Sequence, residues 1–129
     1  MKSGDFDQIV ERAYARVPLR FRRRLQNIAI VVKDEPSSRQ LRSGRVPAGS
    51  TLLGLYEGRP LIHRSVLESF TMPDRITLFQ GPIERSARDR SHLEQIVADT
   101  LWHEIAHYFG MDERQVRAAE RRRALKTRV

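Results

Sequence analysis

His103-Glu104-Ile105-Ala106-His107-Tyr108-Phe109-Gly110-Met111-Asp112-Glu113 is the stretch on which the reading of this chain turns. On a helix of about 3.6 residues per turn, His103 and His107 fall on one face, a turn apart, where two imidazoles can grip one metal ion. Glu104 projects roughly 100° around the helix from His103, close enough to reach a water bound to that metal. Gly110 can end the helix in a left-handed turn, and two acids, Asp112 and Glu113, follow within three residues. One of them can supply a third ligand. Two unrelated histidines on a solvated face would need neither the terminating glycine nor the acids after it. The combination reads as a zinc hydrolase site.

Composition narrows what surrounds that site. A chain of 129 residues is read as one domain, residues 1–129, with a modest core and no room for the two-lobed cleft of a large peptidase. There is no cysteine, so thiolate ligands and disulfides are excluded and the metal must be held by histidine and carboxylate. No apolar run approaches the length of a membrane span, and Met1-Lys2-Ser3-Gly4-Asp5 does not open a secretory signal. The expectation is a soluble cytoplasmic protein with no membrane partner.

The formal net charge is +8, and only Lys2, Lys33 and Lys126 among its basic residues are lysines. Such a balance attracts anionic partners, and here it would favour acidic or unstructured peptides. No nucleic-acid-binding motif is visible, so nucleic acid is not the expected ligand. Solvated faces account for most of the charge.

Apolar positions Phe6, Ile9, Val10, Ala13 and Val17 predict an amphipathic helix over 5–16. Pro18 breaks it and opens a short helical segment over 19–25. Ile28 to Val32 is β-branched and reads as a buried strand. The stretch 37–50, rich in Arg, Ser and Gly, reads as a mobile loop. Strands follow at 52–58 and, after the Met72-Pro73-Asp74 turn, at 75–80, the latter closed by Gly81-Pro82; Pro60 to His63 could pair with the first of them. Ser91 with Glu94 forms a capping box for the site helix, and Leu93, Ile96, Val97, Thr100 and Leu101 its inward stripe. Asp112 with Gln115 opens a basic helix over 113–125. Together these predict a small α+β domain: N-terminal helices, a short mixed or antiparallel sheet, the site helix and a closing helix.

With these elements in order, the chain resembles the small single-domain bacterial zincin-like metallopeptidases. The resemblance rests on Asn27 to Val32, Asp34-Glu35-Pro36, Leu53 to Gly58 and Pro73 to Phe79, followed by the His-Glu helix, and covers nearly the whole chain. It implies a minimal zincin fold, zinc held by His103 and His107, and Glu104 as catalytic base. The family pattern puts an acid ten positions after the first histidine, which is Glu113 here.

For the third ligand, Glu113 is favoured because Asp112 is well placed to cap the last helix, and Asp112 stands as the alternative. Tyr56 is the candidate oxyanion donor, ahead of Tyr108, which can pack in the core, and His63. Asp99, one turn before His103, could orient an imidazole, although a solvated charge is its plainer role. A peptide substrate would add as a strand along 75–80 or 52–56. The function expected is a zinc-dependent peptidase; the alternative is a non-catalytic zinc-binding domain with a basic surface for a protein or nucleic-acid partner. Oligomeric state is not legible.

Overall fold

The computed structural model describes residues 3–25, 28–46, 50–58 and 74–110, together with Arg114, Ala118 and Arg121. Among the described residues the fold is α+β, with five helices around a three-stranded mixed sheet. Helix α1 (Ser3–Ala15) and the short α2 (Leu19–Arg22) lead into strand β1 (Ile28–Lys33), helix α3 (Ser38–Ser43) and strand β2 (Gly54–Glu57). Strand β3 (Asp74–Phe79) then runs straight into helix α4 (Gln80–Ser86), and α5 (Arg90–Tyr108) follows.

The sheet order is β1-β3-β2, with β1 and β3 parallel and β2 antiparallel to β3. Its middle strand is buried almost throughout because it is covered on both faces; Ile76, Leu78 and Phe79 are fully inaccessible. The ladders continue beyond the strands, with Phe79 N donating to Leu53 O and Gly81 N to Asp34 O, each at 2.9 Å. Since β3 is paired on both sides, it offers no edge to a peptide, and among the described residues β2 is the outer strand on the site's side.

The whole predicted stripe is buried: Phe6, Ile9, Val10 and Ala13 of α1, with Val17 just past its end, pack with Leu93, Val97, Leu101 and Ile105 of α5 and with the sheet. Phe21 of α2 closes one end by meeting Trp102 edge-on at 5.2 Å. Toward its C-terminus α5 is buried on most of its circumference, with Leu101, Trp102, Ile105, Ala106 and Tyr108 all inside. A helix enclosed in this way is a rigid mount for whatever it leaves at the surface.

Three expectations are corrected. The stretch 37–50 contains a helix where a mobile loop was expected. Ser37 Oγ accepts from Gln40 N at 3.1 Å while Gln40 Oε1 accepts from Ser37 N at 3.0 Å, a complete capping box. Gln40 then donates to Glu57 at 3.2 Å, tying α3 to β2. Second, Gly81-Pro82 does not close β3 with a loop but lies in the first turn of α4, where a proline needs no amide partner. Third, α5 is capped by Asp89, whose Oδ1 accepts from His92 N at 2.8 Å, so Ser91 falls inside the helix. Glu94, expected in the capping box, pairs with Arg12 at 2.9 Å. The Pro60 to His63 strand and the capping box of Asp112 with Gln115 lie outside the described residues; Arg114, Ala118 and Arg121 are helical.

On the surface, Arg85 grips Glu35 with two hydrogen bonds of 2.8 Å and joins α4 to the turn after β1. The hydrogen bond from Arg85 holds the Glu35 carboxyl below its usual range, and the same pairing raises Arg85.

Gly54 fixes how closely sheet and helix approach. A Cβ added there would stand 2.6 Å from Thr100 Cγ2 on α5 and 3.2 Å from Thr77 O. We expect Gly54→Ala to destabilise the protein by about 1–3 kcal/mol, read from urea unfolding. Adding Thr100→Ser, which removes that methyl, should recover part of the loss; no recovery would place the strain elsewhere.

Candidate metal centre

Helix α5 carries the site on its last two turns. His103 and His107 are partly exposed, while Glu104 between them is only 7% exposed. The imidazole rings lie with centroids 4.6 Å apart and planes at 78°. One ligand atom from each of His103, Glu104 and His107 can be chosen so that all lie within 4.8 Å of one another. Donors on one tetrahedral ion stand roughly 3–3.5 Å apart, so side-chain rotation suffices to bring both imidazoles onto a common ion. The residues present therefore fit a metal.

The buried carboxylate is held by the sheet. Glu104 Oε1 accepts from the main-chain N–H of Tyr56 at 2.8 Å and lies 3.3 Å from His107 Nδ1. The amide it uses belongs to β2, the outer strand, so the helix face and the strand edge meet at this oxygen. The Tyr56 hydroxyl goes elsewhere, donating to Oδ2 of buried Asp74 at 2.7 Å. To serve an oxyanion it would have to exchange that partner. Tyr108 is a core residue, packed edge-on against Tyr56 at 5.9 Å and Phe109 at 5.3 Å.

Helix α5 stops where the sequence indicated. Gly110 has φ 79°, and its N–H donates to His107 O at 2.9 Å, a left-handed C-terminal turn. Asp112, Glu113, His63 and Met111 lie outside the described residues. Asp99 accepts from Gln95 Nε2 at 2.8 Å and shares the wall of an open cleft with His103 and Glu104. The cleft measures about 330 Å³, and Leu52, Leu53, Gly54 and Thr100 form the rest of its lining. Leu52, Leu53 and Gly54 belong to the 52–56 stretch expected to line the substrate, whereas Thr100 was read only as part of the helix's inward stripe, because the Gly54–Thr100 approach is encoded in no local pattern.

The sequence model of one family, described as zincin-like metallopeptidase, matches residues 25–123. The chain belongs to that family. Among solved structures, this zincin-like chain is similar to a conserved hypothetical protein from Thermo thermophilus. The two are 27% identical and superpose with a TM-score of 0.59 over 84% of this chain and 94% of the other. No curated protein matches. The match to the family spans β1 to α5 and so includes His103, Glu104 and His107. No helix among the described residues is long and apolar enough to cross a membrane.

Proposed function

We propose that this zincin-like protein is a zinc-dependent peptidase, with the whole of residues 1–129 serving as one catalytic domain. The observation that carries the reading is the His103, Glu104 and His107 cluster, presented by a rigid helix at an open cleft beside an outer strand. His103 and His107 would hold the zinc through neutral ring nitrogens, with Glu113, or else Asp112, as third ligand. When bound, zinc supplies a Lewis acid that polarises a carbonyl and acidifies water.

The chain's own groups do the rest. Tyr56 N–H fixes one oxygen of Glu104, which orients the other oxygen of the carboxylate and spares it for chemistry. Glu104 accepts the proton of the attacking water and returns it to the leaving amine, so one group acts as base and then as acid. The outer edge of β2 runs beside it, and an extended peptide can lie against that edge as a further strand. The enclosure of α5 keeps these parts in register through the cycle.

Elemental analysis of the purified protein, paired with cleavage of a peptide library, tests the reading. Stoichiometric zinc is expected, with hydrolysis that a chelator removes and added zinc restores. A zinc-loaded protein that cleaves nothing across the library would overturn it.

A further inference from the structure

We infer that the cleft beside the histidine pair is a side-chain subsite for an arginine or lysine of the bound peptide, with Asp99 as the residue that recognises its cationic end. The inference rests on the peptidase reading and adds the substrate class. Charge contrast is the first observation. The chain has 24 Lys and Arg against 16 Asp and Glu, yet the described residues lining this cleft include two carboxylates, Asp99 and Glu104, and no lysine or arginine. Protein-wide charge draws acidic molecules in general, but the group that touches a side chain is local, and here it is an acid.

Shape is the second. At about 330 Å³ the cleft lies at the small end of ligand sites, room for one long side chain. Leu52 and Leu53 give an apolar wall for a methylene stem, and Asp99 on the same lining can meet the charged head. Gln95 donates to Asp99 Oδ1 at 2.8 Å and so helps to hold the carboxylate on the cleft side of α5. A carboxylate pairs with the two-pronged fork of a guanidinium better than with the point charge of an ammonium, so arginine should lead lysine. Asp99 is exposed, which limits the effect to about fivefold.

The test uses zinc-loaded protein carrying Glu104→Gln, titrated by fluorescence anisotropy with short peptides that differ only in one residue, Arg, Lys, Met or Glu. Cleavage of the same peptides by the unsubstituted protein is measured in parallel. Arg is expected to bind about fivefold more tightly than Met, with Asp99→Asn bringing the two close to parity and Asp99→Arg favouring Glu. Zinc affinity, followed by competition with a chromophoric chelator, should not change in Asp99→Asn. Equal binding of all peptides, preference for Glu, or no binding overturns the inference. So does weakened zinc with the Arg preference intact, which would make Asp99 an orienter of His103. Preference for Arg without cleavage by the unsubstituted protein would fell the peptidase reading and leave the subsite standing.

Discussion

Glu104→Gln is expected to lower hydrolysis by about 10²–10⁴-fold, the usual contribution of a general acid–base group, while fold and zinc stay in place. The expectation follows from what each atom of the carboxylate does. Oε1 is committed to structure, accepting Tyr56 N–H at 2.8 Å across the junction of α5 and β2. Glutamine has an oxygen in the same place and can accept the same hydrogen bond. What an amide cannot do is take a proton from water near neutral pH. The substitution therefore separates two roles that share one side chain.

Glu104→Ala is the necessary companion. It would take the Glu104 oxygen away from the half-buried Tyr56 amide beside the open cleft, at a cost of about 1 kcal/mol. Rates should be equally low in the two variants, but urea unfolding should show a loss of stability only for alanine. Turnover unchanged in Glu104→Gln would move the base to another residue. A glutamine variant as unstable as the alanine one would make Glu104 a structural carboxylate first.

How far the chain could be read from its residues depended on the range over which each signal acts. The N-terminal stripe was legible because burial recurs with the helical period, and all five of its apolar positions are inside. The stop at Gly110 was legible because a positive φ selects glycine locally. Helix α3 had a local signal too, Ser37 followed by Gln40, but arginine-rich composition suggested a loop and outweighed it. Asp89 was passed over for a similar reason: Ser91 and Glu94 matched the motif, while a carboxylate two residues earlier caps as well and also answers the helix dipole.

Other features had no local signal at all. Tyr56 was singled out for its hydroxyl, and nothing in the sequence marked its main-chain N–H, which reaches Glu104 48 positions away. Every non-proline residue carries such a donor, so nothing in the side chain marks this one. The cleft walls depend in turn on the packing of β2 on α5 through Gly54 and Thr100. His103, Glu104 and His107 were legible as a group because a single helix brings them together.

Zinc should stabilise the native protein strongly, and removing either imidazole should erase that increment. A ligand that binds only the folded state adds stability that grows with its concentration, about 2.7 kcal/mol at one hundred times the dissociation constant. For a domain of this size, whose total stability is of order 5–15 kcal/mol, that is a shift of several degrees in melting temperature. His103 and His107 are partly exposed, so truncating either ring without zinc present removes little packing. His103→Ala and His107→Ala should thus melt within about 1 kcal/mol of the unsubstituted protein when metal is chelated. The curves should separate only when zinc is added. This ordering distinguishes a ligand from a packing residue, because a packing residue would cost the same in both conditions. Calorimetry with and without zinc reads it directly. A zinc-dependent rise that survives in both variants would put the metal at another set of donors and detach Glu104 from it as well.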